Sequence, residues 1–228
     1  YAVGAYMNGA YSYPGDPLPP VGTPGFPDNT YYHGIRRFPS TIDLAANPLT
    51  FKHIGVDNPL PQSANAYDWK LRSLLNSEIH TAGEVYTAAL WQCSRNILAA
   101  VPGSRFERTH KRFLAWLVTG MKLTPPEPTY TEARDALLLA IRADDTGDYL
   151  RCRAGFAARG MGAGALSPPR YSFSLRGAVE SFNDSERALT VVSTKLEEVS
   201  AADGDGVLDR GETGRLVATV RNTGFSPL

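Results

Sequence analysis

Ile79-His80-Thr81-Ala82-Gly83-Glu84-Val85 opens the longest helical pattern in the chain, one that predicts a helix to about Ala99. Ile79, Val85, Ala89, Leu90, Cys93 and Ile97 recur at three- and four-residue spacing and mark one buried face. Ser77 or Asn76 is expected to cap its start, accepting a hydrogen bond from an otherwise unpaired amide. His80 therefore falls at the N-terminal end. There the helix orients the imidazole, leaves it partly accessible, and disfavours its charged form through the positive end of the macrodipole. On spacing alone His80 is either a satisfied cap-region histidine or a functional one.

Working outward from this helix, the flanking sequence repeats the same period. A second helix is expected after Pro102-Gly103, with Ser104 as cap and Phe106, Phe113, Leu114, Leu117, Val118 and Met121 as its apolar face. Pro125, Pro126 and Pro128 forbid its continuation. Thr131 is expected to cap a third, with Ala133, Leu137, Ala140 and Ile141 facing inward. A fourth runs from about Gly147 to Arg159 and stops at Gly160, a residue that tolerates the left-handed conformation of a helix terminus. Residues 1–70 read as a loop-rich segment, because Pro14-Gly15-Asp16-Pro17 and Pro19-Pro20 interrupt any regular element. From about residue 186, Leu189-Thr190-Val191-Val192-Ser193 and Arg215-Leu216-Val217-Ala218-Thr219-Val220 are β-rich. The expected fold class is mainly α: a loop-rich segment, a helical lobe over 71–165, and a short β-module over 186–228.

The composition is that of a globular protein, with 43% apolar and 20% charged residues. A formal charge of zero gives no electrostatic reason to expect nucleic acid or an anionic membrane as partner. No apolar run approaches the roughly 18 residues of a membrane-spanning helix. Tyr1 is followed by no charged-then-apolar leader. Cys93 and Cys152 could be bridged or be two buried thiols; sequence does not measure their separation.

A set of separated motifs in one order carries a family resemblance. His80-x-x-Gly83-Glu84-Val85 is preceded by Gly34-Ile35-Arg36-Arg37-Phe38-Pro39-Ser40-Thr41 and Asn47-Pro48-Leu49-Thr50-Phe51. It is followed by Ala133-Arg134-Asp135-Ala136 and Phe156-Ala157-Ala158-Arg159-Gly160-Met161-Gly162. These stretches, with Tyr1 to Tyr6 ahead of them, resemble the C-terminal catalytic lobe of fungalysin-type zinc metallopeptidases, thermolysin-like enzymes, over about residues 1–185. One departure is local: the family usually has a tyrosine between the residues matching Pro39 and Ser40. The resemblance implies a secreted endopeptidase acting on protein or peptide substrates, of which this chain is an internal segment. It implies that His80 donates to the oxyanion of the tetrahedral intermediate; the carboxylate that orients this histidine in thermolysin-like enzymes has no evident match, and Asn76, Ser77 and Glu78 are the candidates. It also implies that zinc is held by two histidines and a glutamate upstream of Tyr1. His33, His53, His80 and His110 are the histidines of this chain, and none begins an H-E-x-x-H motif. The alternative is a non-catalytic secreted module built on a peptidase-like lobe.

Other residues carry weaker signals. A guanidinium offers a planar fork to carbonyls and carboxylates, and adjacent arginines are otherwise ordinary solvated charges. The resemblance points to Arg36 as the substrate-binding one, with Arg37 as the alternative. Asp203, Asp205, Asp209 and Glu212 sit on a glycine-rich loop suited to calcium, and equally to a solvated turn. Glu84 reads as structural, and Arg134 with Asp135 as helix-surface or interhelical ion-pairing residues.

Overall fold

Glu78 is in extended conformation, and its carboxylate accepts the amide protons of His80 and Thr81. It is the cap of the first helix, α1 (Ile79–Leu98). This corrects the expectation of Ser77 or Asn76, because the Asn76 side chain is engaged elsewhere. The computed structural model describes residues 36–61, 75–185, 189–200 and 205–222. Tyr1–Tyr6, Gly34 and Ile35 lie outside them. The chain divides into two units, Tyr1–Asp184 and Ser185–Leu228.

The first unit is helical. After α1 come a 3-10 turn at Gly103–Arg105, then α2 (Phe106–Leu123), α3 (Tyr130–Arg142) and α4 (Thr146–Ala158). Val85, Ala89, Leu90, Cys93 and Ile97 are buried as their spacing predicts, whereas Ile79 is 79% exposed. It precedes the first complete turn that packs.

Helices α1 and α4 meet where a glycine lets their backbones touch. A Cβ on Gly155 would lie 2.6 Å from both the Cα and the amide nitrogen of Cys93. At the same crossing Cys93 and Cys152 form a disulfide with a Cα–Cα distance of 4.0 Å, which decides the pairing the sequence left open. Gly120 makes the corresponding approach of α2 to α3, with a Cβ position 2.8 Å from the Cα of Leu137.

That contact sets the rotation of α2. Phe113, Trp116 and Gly120 face inward, while Val118 and Met121 are 46% and 59% exposed, contrary to the apolar face expected of them. Ser104 is no cap either, since it lies within the 3-10 turn and no side chain caps α2. Thr129, not Thr131, caps α3 in a reciprocal box with Glu132. Thr131 instead donates its amide proton to the Ser167 hydroxyl and shares a second hydrogen bond with it through its own hydroxyl.

Three groups tie the irregular segments to the helices. Phe51, buried in the 3-10 turn Phe51–Ile54, joins a ring cluster with Tyr130, Tyr86 and Phe156, each neighbouring pair of centroids about 6 Å apart. Arg159, 1% exposed, donates to the backbone carbonyls of Thr41, Asn47 and Leu49. Burial pushes its guanidinium down to about 10. Arg134 is 4% exposed, so of its two expected roles, helix-surface or ion-pairing, it does not take the surface one. It pairs with Asp135 and donates to the carbonyls of Met161 and Gly162, bracing the chain just past the left-handed Gly160.

The second unit is an antiparallel hairpin of β1 (Leu189–Ser200) and β2 (Thr213–Asn222). A bulge between Val191 and Ser193 shifts the register by one residue. With alternation around it, Leu189, Val191, Leu196, Leu216, Ala218 and Val220 share one face. Lys195, Glu197, Arg215 and Arg221 share the other.

Candidate active site

The first turn of α1 presents its histidine outward. His80 has a side chain 64% exposed, and its Nδ1 lies 2.7 Å from Oε1 of Glu78. The same carboxylate takes the His80 amide through Oε2 at 2.9 Å, so backbone and ring are fixed by one group. The hydrogen bond from the His80 side chain, chiefly, holds the Glu78 carboxyl below its usual range. With Nδ1–H given to Glu78, Nε2 is the ring position open to a ligand. Of the three residues considered as its orienting partner, the structure brings Glu78 to the ring and leaves Asn76 and Ser77 away from it.

Asn76 belongs to a different network. Its Oδ1 accepts from Nη1 of Arg37 at 3.1 Å, and its Nδ2 donates to the carbonyls of Gly55 and Asn58. Arg37 is 2% exposed and engages its other two nitrogens as well. Nε donates to Oε2 of Glu84 at 2.8 Å and Nη2 to the carbonyl of Thr81 at 2.9 Å. The second Glu84 oxygen accepts the Phe38 amide at 2.8 Å. Burial pushes the Glu84 carboxyl above its usual range, against the opposing pull of Arg37 and of the Phe38 amide. Glu84 thus sits in a structural ion pair.

Arg36 occupies the rim. Its Nη1 donates to the carbonyl of His80 at 3.3 Å, leaving the guanidinium half-exposed beside the helix start. A cavity of about 80 Å³ opens next to it, lined also by Phe38, Ser40, Asn47, Thr87 and Ala88. The structure brings Arg36 to the His80 carbonyl and buries Arg37. Sequence reasoning missed the buried network that joins Arg37, Asn76 and Glu84, and the double use of Glu78. The one available signal was Glu78 itself, the only carboxylate within three residues ahead of His80.

His53 and His110 do not join this site. His53 and His110 are buried: Nδ1 of His53 accepts the Thr50 amide at 2.9 Å, and His110 stacks on Phe106. His33 lies outside the described residues. Among the described residues, no three His, Cys, Asp or Glu side chains converge as a metal site requires. Zinc therefore has no ligand set there.

The acidic loop behaves similarly. Asp203 lies outside the described residues; Asp205 accepts the Val207 amide and Glu212 accepts the Asp209 amide. Among the described residues, Asp205, Asp209 and Glu212 are not gathered as a metal site requires.

The model of the fungalysin metallopeptidases (M36) matches residues 23–165, which include α1 to α4 and every residue of the site just described. The chain belongs to the fungalysin metallopeptidase family. Extracellular metalloproteinase mep of Aspergillus fumigatus is 32% identical to it over 144 residues, 58% of this chain and 20% of that protein. Extracellular metalloproteinase MEP of Fusarium vanettenii is 32% identical over 163 residues, 66% and 22% of the two chains. Extracellular metalloproteinase 10 of Coccidioides posadasii is 28% identical over 144 residues, 58% and 20%. The chain spans about a fifth of the length of these fungalysin relatives. Among the described residues no helix is long and apolar enough to cross a membrane.

Proposed function

We propose that this segment supplies transition-state stabilisation and substrate contacts to a secreted zinc endopeptidase. The observation that carries the reading is the Glu78–His80 pair at an exposed helix start. Glu78 fixes the Nδ1–H tautomer, and Nε2 can donate to a developing oxyanion once protonated. Arg36, which donates to the His80 carbonyl, is the proposed substrate contact, its fork suited to a peptide carbonyl. The zinc ligands are proposed on polypeptide upstream of this sequence, and no step through the metal is derived from the residues here. Secretion is supported by the names of the relatives and by the Cys93–Cys152 disulfide, a bond of oxidising compartments.

The test is His80→Ala in the complete enzyme. Loss of one oxyanion donor predicts a fall in kcat of about 100- to 1,000-fold with metal content unchanged. Near-normal turnover would remove His80 from the chemistry and favour a non-catalytic lobe. Arg36→Lys, which replaces a planar fork by a point charge, is expected to lower kcat/KM; a silent variant removes the substrate role.

Two proposals concern the second unit. The hairpin is proposed to belong to a β-sandwich-like module, a reading supported by its single apolar face. Calcium held by Asp203, Asp205, Asp209 and Glu212 is supported only by carboxylate density in a glycine-rich loop. A melting temperature unchanged by millimolar calcium, in the wild type and in Asp205→Ala alike, would leave the loop a solvated turn.

A further inference from the structure

Two site residues lie on different stretches of chain. Arg36 is on an irregular segment and His80 on the first turn of α1, and the one direct link between them is the 3.3 Å hydrogen bond from Arg36 to the His80 carbonyl. Both residues are at least partly exposed, so that contact alone would hold them loosely. What lies directly beneath is rigid. Arg37, the next residue after Arg36, reaches Thr81, the next residue after His80, through Nη2 at 2.9 Å. The two stretches are thus fastened one residue inward from each functional side chain. Glu84 closes the other side, taking Arg37 Nε with one oxygen and the Phe38 amide with the other, so Arg37 and Phe38 are both held to α1. Asn76 ties the same guanidinium to the carbonyls of Gly55 and Asn58 and so to a third segment.

We propose that Arg37 is a positioning residue of the active site, its buried guanidinium, clamped by Glu84 and Asn76, fixing the spacing between Arg36 and His80. The inference rests on the oxyanion-donor reading of His80. The physical argument is the match of fork to acceptors. Three nitrogens of one planar group serve three acceptors on α1 and just ahead of it, and a lysine ammonium at the end of a flexible stem cannot reproduce that geometry. Because the group is buried, its partners cannot turn to water when the fork is lost, and the segment must move instead. A displacement of about 1 Å in a positioned group is enough to cost on the order of 100-fold in rate.

The test is a double-mutant cycle in the complete enzyme, comparing Arg37→Lys, His80→Ala and the combination, with turnover measured well below each melting temperature. Arg37→Lys is expected to lower kcat at least about tenfold per folded molecule, and to add little once His80 is alanine. Glu84→Gln, nearly the same shape without the charge, serves as the second variant if Arg37→Lys does not fold, and the same pattern is expected of it. Unchanged kcat alongside a lowered melting temperature would overturn the proposal, leaving the network as a stabilising element only. So would an equal fall in both backgrounds, since the effect would then not pass through His80. If His80→Ala alone retains normal kcat, the oxyanion reading fails, and the positioning role fails with it. If His80→Ala is impaired and both network variants turn over normally, only the positioning role fails.

Discussion

Gly155 of α4 lies so close to Cys93 of α1 that a Cβ at position 155 would sit 2.6 Å from the Cys93 Cα. The neighbouring atoms are backbone, which cannot swing aside as a long side chain can. Gly155→Ala is expected to destabilise the helical unit by about 1–3 kcal/mol through forced separation of α1 and α4. Gly83 is the internal control. It lies within α1 with nothing within 4 Å of a Cβ, and Gly83→Ala should raise stability by about 0.4–1 kcal/mol. Denaturant unfolding of both variants checks the pair; equal effects would refute the close approach.

The disulfide at that crossing spans a sequence separation of 59 with both cysteines buried. In the chain-entropy account, a loop of this length constrains the unfolded state by about 4 kcal/mol. Replacing both cysteines by alanine is expected to lower stability by an amount of that order. Added reductant without denaturant should leave the native bond largely intact, because neither sulphur is reachable. Rapid reduction of the folded protein would contradict the burial.

Acid should weaken the helical unit through its two buried histidines. Burial chiefly lowers the pKa of each below the ordinary 6.5. Around His53, Glu180 and the Thr50 backbone oppose this while Lys52 and Arg37 reinforce it. The Thr50 amide donates to Nδ1 of His53. A lowered folded pKa means the neutral form is favoured natively. The contribution is therefore complete above about pH 6.5 and is lost as pH falls through the lowered folded values. The melting temperature is expected to fall between about pH 7 and pH 5, and His110→Gln to flatten part of that fall. A flat profile over this range would show that neither ring matters to the folding balance.

Helix existence was legible because period and breakers agree. Pro102, Pro125 and Gly160 bound apolar stripes long enough to leave little choice. Caps were less legible, since several consecutive residues can each supply an acceptor and the backbone angle of one residue decides among them. Thr129 was the recoverable case: Thr129-Tyr130-Thr131-Glu132 fits the reciprocal box, whereas Thr131 has no such partner. Burial of charge was illegible. Arg37 and Glu84 are 47 residues apart, and nothing local distinguishes Arg37 from its half-buried neighbour Arg36. The face of α2 failed for a related reason, because Gly120, without a side chain, governs which side approaches α3.

Glu78 performs two tasks that substitution can separate. As the α1 cap it accepts two backbone amides, and as the ring partner it accepts from Nδ1 of His80. Glu78→Gln keeps an oxygen able to cap the helix but removes the charge that favours a protonated ring in the transition state. Stability should change little, while kcat in the complete enzyme should fall, by less than His80→Ala costs. Glu78→Ala removes both acceptors, so it should lower kcat further and also cost about 1 kcal/mol of stability. Melting temperature and kcat measured on both variants give four values that must follow this order. If Glu78→Gln turned over normally while Glu78→Ala lost only stability, Glu78 would be a cap and nothing more. The short contact to His80 would then be a consequence of two side chains sharing one helix start.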